Sequence, residues 1–107
     1  TMKRPSPDEM ARLKENLYRD LARGAVDIRA ASRRMRRILG MSQKDYARKV
    51  AGIAPRILAE FENGSGNPTL ATLEKIATPF GLQVTFLPPP SWRIENWRAA
   101  DETVGAL

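Results

Sequence analysis

Nine basic side chains, Arg29, Arg33, Arg34, Arg36, Arg37, Lys44, Arg48, Lys49 and Arg56, stand in the stretch 29–56 against one acid, Asp45, giving that stretch a charge of +8. Six basic residues face five acidic ones before it and three face six after it, so the +6 of this 107-residue chain is gathered in one block. Such a block suits a polyanion, whose repeated negative charges guanidinium and ammonium groups can neutralise. It equally suits a solvated helix face, and the charge run alone leaves both readings open. Other chemistry has few means. The chain has no Cys and no His, which removes thiol nucleophiles, imidazole bases, disulfides and the usual zinc ligands together. Its carboxylates, hydroxyls and lysines form no recognisable catalytic cluster, so neither an enzyme nor a cofactor or metal is expected. With no long apolar run and no signal-peptide layout, the chain reads as a soluble protein of the cytoplasm that does not enter membranes.

The elements that must position these charges are legible from caps and periodicity. Ser6 can cap a first helix that has Pro7 at its first position and Asp8 and Glu9 in its first turn, with Met10, Leu13, Leu17 and Leu21 as the buried stripe. Gly24 breaks it. A second stripe, Ala25, Ile28, Ser32, Met35 and Leu39, runs to a C-capping Gly40, with the arginines on the other sides. Ser42 then caps a helix with Tyr46, Ala47 and Val50 on its apolar side that ends near Ala51 and Gly52. Pro55 opens the next, with Ile57, Leu58 and Phe61, and Asn63-Gly64 closes it. After the loop Ser65–Pro68, Thr69 caps a last helix bearing Leu70, Leu73, Ile76 and Ala77.

At Leu82 the period changes to two. Leu82, Val84 and Phe86 alternate with Gln83, Thr85 and Leu87, which predicts one short strand with no second strand in the chain to pair with. Unpaired, it would leave its backbone groups to water, whereas the same strand of a second protomer would satisfy them. Leu82, Val84 and Phe86 are therefore expected at a dimer interface. Pro88-Pro89-Pro90 ends the strand in a stiff extended segment, and the tail carries Trp92, Ile94 and Trp97, either as a short docked helix or as a disordered segment with interaction hot spots. The expected organisation is an N-terminal helical extension, 1–24, a helical unit carrying the basic block, 25–87, with the dimerisation strand 82–87, and a proline-started tail, 88–107.

Two short helices joined by a glycine-containing turn after an arginine-rich helix are the layout of a helix-turn-helix. From Arg33 to Gly81 the chain resembles the Cro/repressor-type (Xre) helix-turn-helix family, in its HipB-like antitoxin and regulator flavour. The resemblance rests on Arg36, Ser42-Gln43, Tyr46-Ala47, Glu62-Asn63-Gly64 and Asn67-Pro68-Thr69-Leu70 in that order. It implies an all-α, lambda-repressor-like bundle, here with an extra N-terminal helix and one C-terminal strand pairing across a dimer. It also implies that Gln43 anchors a DNA phosphate and that the helix from Pro55 to Asn63 enters the major groove. The implied DNA-facing set is Gln43, Lys44, Ala54, Pro55, Arg56, Glu60 and Asn63, with Arg33 and Arg37. Arg56 is the best candidate for bidentate readout of guanine, and Glu60 could accept from cytosine. Arg36 and Glu62 are implied to form a structural ion pair. The residues Tyr46, Ala47, Ile57, Leu58, Phe61, Leu70, Leu73 and Ile76 are expected in the core.

Two departures from the family pattern stand out. Ser42 and Gly52 are ten residues apart, one more than usual, which predicts a longer helix or a looser turn. Ala54 cannot cap and Pro55 has no side-chain donor, so direct readout rests on fewer groups. The leading expectation is a homodimeric transcriptional regulator, a repressor binding an inverted repeat of double-stranded DNA in the bacterial nucleoid. An antitoxin that holds a toxin through its tail and represses its own promoter is the first alternative. A protein-binding anti-activator is the second.

Overall fold

The structure, a computed structural model, describes residues 3–93. Helix α1 spans Pro7–Arg23 and α2 spans Ile28–Leu39. Helix α3, Gln43–Asp45, is prolonged by a π-helical segment, Tyr46–Ala51; α4 spans Pro55–Glu62, and α5, Leu70–Ala77, runs into a 3₁₀ turn, Thr78–Phe80. Residues 90–93 are again helical. No helix among the described residues is long and apolar enough to cross a membrane.

Helix starts are fixed by side-chain oxygens that take up amides the helix itself cannot satisfy. Ser6 accepts from the Glu9 amide at 3.2 Å, Ser42 from that of Asp45 at 3.1 Å and Thr69 from that of Thr72 at 3.1 Å. Helix α2 starts later than the stripe from Ala25 suggests, because the Asp27 carboxylate accepts from the Ala30 amide at 2.8 Å and sets the first turn there. Its inward face is accordingly Ala31, Ser32, Met35 and Ile38, while Ile28 is about half exposed. Gly40 ends α2 at φ +65°, and a Cβ there would come within 2.6 Å of the Arg4 backbone, so no other residue fits.

One core gathers α1, α2, the π-helical segment, α4 and α5. Leu17 of α1, Met35 and Ile38 of α2, Tyr46 and Ala47 of the π-helical segment, Leu58 and Phe61 of α4, Ile76 of α5 and Phe80 are buried together. Burying a side chain such as Leu17 or Leu58 contributes about 1.5–3 kcal/mol. Leu70 departs from the sequence expectation: it is the first residue of α5 and its side chain is mostly exposed. Two tyrosines brace the far end. Tyr46 donates to the Ile76 carbonyl at 2.7 Å and Tyr18 to that of Phe80 at 2.5 Å. Burial first, and the Glu62 charge second, push the Tyr46 hydroxyl up to about 12, so it stays a proton donor.

The additional residue between Ser42 and Gly52 is absorbed inside the helix, not by lengthening it or loosening the turn. From Tyr46 to Ala51 the backbone winds as a π-helix, whose i→i+5 hydrogen bonds take up more residues per turn than an α-helix. Ala47 and Ala51 thereby both remain buried. The turn after it stays tight: Gly52, at φ +69°, points its amide at the Ala47 carbonyl, and Ile53 donates to the same oxygen at 2.9 Å.

The strand expected over 82–87 is not formed. Leu82 donates to the Ala77 carbonyl at 3.2 Å, and among the described residues no backbone acceptor meets the amides of 83–87. A ladder needs a second strand, and the described part of one chain offers none. The segment nevertheless packs, with Leu82 and Val84 half-buried beside α1 and α5. In the tail, Arg93 donates to the carbonyl of Arg23 at 2.8 Å, at the end of α1. Ile94 and Trp97 lie outside the described residues.

Candidate nucleic-acid interface

The basic block divides according to what each side chain finds nearby. Glu62, the last residue of α4, is buried, and its carboxylate is a hub. Oε1 accepts from Arg36 Nη2 at 2.8 Å and from Gln43 Nε2 at 3.1 Å; Oε2 accepts from the buried Ser32 hydroxyl at 2.7 Å and from Arg36 Nε at 3.0 Å. Burial works to raise this carboxyl, but the hydrogen bonds from Arg36, Ser32 and Gln43, with the Arg36 charge, outweigh it and hold it below the usual carboxylate range. Arg36 also donates to the Met41 carbonyl at 3.1 Å, tying the end of α2 to the start of α3.

Two more arginines of α2 converge on the same helix end. Arg33 donates to the Glu62 carbonyl, and Arg29 donates to the Phe61 carbonyl while its guanidinium lies 5.1 Å from the centre of the Phe61 ring. Residues 29, 33 and 36 follow the spacing of one helix face, so α2 presents three guanidinium groups to the carbonyl-rich, negative end of α4. Helix α4 has no basic residue in its own last turn, and α2 supplies that charge from outside. Arg34 points elsewhere, to Asp20 of α1 at 2.8 Å. The bonds from Arg34 and then Arg23 lower the Asp20 carboxyl.

The remaining cations stay outside. Arg37, Lys44 and Arg48 are exposed and form no ion pair among the described residues. Lys49 and Arg56 are exposed too and touch only acids one turn away in their own helices, Asp45 at 3.8 Å and Glu60 at 3.2 Å. Glu60 is half-buried and anchored from the other side, since Ser65 donates from both its amide and its hydroxyl to the Glu60 carbonyl, at 2.9 and 3.2 Å. Ala54 is exposed and offers no cap, yet α4 begins cleanly: Pro55 has no amide to satisfy and the Ile57 amide turns back to the Ala54 carbonyl at 3.0 Å. Asn63 is exposed at the far end. Of the residues expected to face DNA, the structure leaves Arg37, Lys44, Ala54, Arg56 and Asn63 open to solvent and Pro55 and Glu60 partly so. It turns the side chains of Arg33 and Gln43 inward onto Glu62.

The arrangement, two helices joined by the turn Gly52–Ala54 and clamped through the hub to an arginine-bearing helix, is matched by the helix-turn-helix family model over residues 33–87, just over half of the chain. The chain belongs to this family, of the Cro/C1 (Xre) type. No curated protein and no solved structure matches it. As a helix-turn-helix protein it is DNA-binding and not an enzyme. Within the helix-turn-helix, α3 with its π-helical continuation and α4 are the two defining helices, and Glu62 at the end of the second is where the preceding helix is fastened. Sequence reasoning missed Arg29 and Ser32 as parts of this fastening. The repeat of arginines at 29, 33 and 36 was the available signal, since a polar stripe on one helix face asks for polar acceptors across from it.

Proposed function

We propose that this protein is a sequence-specific transcriptional regulator, a repressor, that binds an inverted repeat as a homodimer with α4 in the major groove. The observation that carries this reading is the division of the charge within the helix-turn-helix. Arginines that build the fold are turned inward, while Lys44, Arg48 and Arg56 on and around α3 and α4 remain available to a phosphate backbone or a base edge. In this reading Arg56, near the start of α4, reads guanine, and its contact with Glu60 one turn on supports the reading by limiting its rotamers. Gln43, its side chain held by Glu62, contributes its backbone amide at the α3 start and not its side-chain amide. In this reading 25–87 is the DNA-binding unit, 1–24 an extension and 88–107 a tail. Antiparallel pairing of 82–87 between two copies fixes the distance between recognition helices. Such a regulator works in the cytoplasm of a bacterial cell.

Selection of bound fragments from random DNA by the purified protein tests the reading: an enriched inverted repeat is expected. Failure to retain any fragment at low salt would instead favour a protein-binding anti-activator. The antitoxin reading draws on the tail, whose Trp92 is about half exposed. Co-purification of a second chain, lost on replacing Trp92, would establish it.

A further inference from the structure

Between α1, α5 and the extended segment 82–87 lies an apolar cleft of about 410 Å³, with Leu21, Val26, Met35, Leu73, Leu82 and Val84 among its walls. Leu87 reaches its rim, but Phe86 does not: its ring is fully exposed, the one large hydrophobic side chain among the described residues left entirely in water. Knob and hole thus sit on one six-residue segment. They do not meet within one chain: the Phe86 side chain points away from the cleft that its neighbours Val84 and Leu87 line.

We infer that Phe86 of one protomer docks into the cleft of a second copy, opposite Leu82 of that copy. The inference rests on the proposed pairing of 82–87. Antiparallel pairing about Val84 sets position 86 across from position 82, and residues directly opposite each other share a sheet face. Leu82 faces the cleft, so the phenyl ring arrives over it. The arrangement is isologous, each copy giving the same knob and the same hole, and it closes at two. The area is adequate. Two phenylalanine side chains bury about 150–250 Å² each and the walls they cover about as much again. Together with the paired backbones this reaches the lower end of the roughly 1,200–2,000 Å² that a stable interface needs.

The chain contains no cysteine, so engineered thiols report cleanly. Full-length Val84→Cys is expected to form a disulfide-linked dimer, because position 84 faces itself across the two-fold axis. Phe86→Ala, which cannot disturb a monomer core that the ring never touches, is expected to weaken dimerisation in sedimentation equilibrium by about a hundredfold. Thr85→Ala, at a residue that borders the cleft but keeps its side chain exposed, leaves it within about twofold. A wild-type monomer at micromolar concentration with no cross-link at position 84 would overturn the pairing itself, and with it the inference. A dimer that cross-links at position 84 yet keeps its dissociation constant in Phe86→Ala would overturn the docking alone, as would a cleft shown to be filled by residues 94–107 of the same chain.

Discussion

Four of the five arginines on α2 are bound within the protein, to two carbonyls, a buried carboxylate and Asp20, whereas the four cations from Lys44 to Arg56 are exposed and at most touch an acid of their own helix. Both regions would look alike in a count of charge. They differ in what the fold brings to them. The end of α4 offers α2 a set of acceptors that have lost water, and a guanidinium fork satisfies them well. Among the described residues no such acceptor meets Lys44, Arg48, Lys49 or Arg56, so these cations keep their hydration until a ligand replaces it. Charge that builds the fold and charge that meets a partner are therefore separable by substitution.

The largest effect should come from the hub. Arg36→Ala leaves the Glu62 carboxylate buried without its main partner and should cost about 3–5 kcal/mol in chemical denaturation. Arg56→Ala should stay within about 0.5 kcal/mol of wild type. Equal losses would erase the distinction between the two regions. On DNA the order inverts: Arg56→Ala should lose about 1–3 kcal/mol of affinity concentrated at one base position, while a uniform loss over all sequences would make it a phosphate contact.

Arg33 and Arg37, four residues apart on one helix, divide in the same way. Arg33→Ala removes a charge-assisted bond to the Glu62 carbonyl and should lower stability by about 1.5 kcal/mol. Arg37→Ala should leave thermal and denaturant midpoints in place. A subtler effect comes from the lowered Glu62 carboxyl. Because its folded value lies below its unfolded one, the unfolded chain takes up the proton more readily as pH falls. The stabilisation is present above the usual carboxylate range and is lost as pH drops through the folded value. Glu62→Gln should show a flatter acid limb in a stability-against-pH series; an unchanged limb would assign acid sensitivity to other carboxylates.

Most helix limits are legible because caps are local: Ser6, Ser42 and Thr69 each act on an amide three residues away. Asp27 is harder to see as a cap because the apolar stripe reads back to Ala25, a residue in the connection. The π-helical segment is not legible, since counting residues reveals one too many but not whether the helix or the turn absorbs it; the need to bury Ala47 and Ala51 together decides that in three dimensions. The same holds for the arginines. The Arg36–Glu62 contact can be anticipated from a family resemblance, but the partners of Arg29 and Arg33 are main-chain carbonyls, which every residue carries and no pattern marks. The orientation of Gln43 depends on the same hub.

The salt dependence of DNA binding tests the central division most directly. Each phosphate contact contributes roughly −0.9 to the slope of log K against log salt concentration. With Arg37, Lys44, Arg48, Lys49 and Arg56 exposed, wild type should show a steep negative slope, about −4.5 per bound protomer if all five reach phosphates. Lys44→Ala should make the slope shallower by about one, and Arg33→Ala, measured where it is fully folded, should leave it unchanged. A flat wild-type slope, or equal changes in the two variants, would contradict the account.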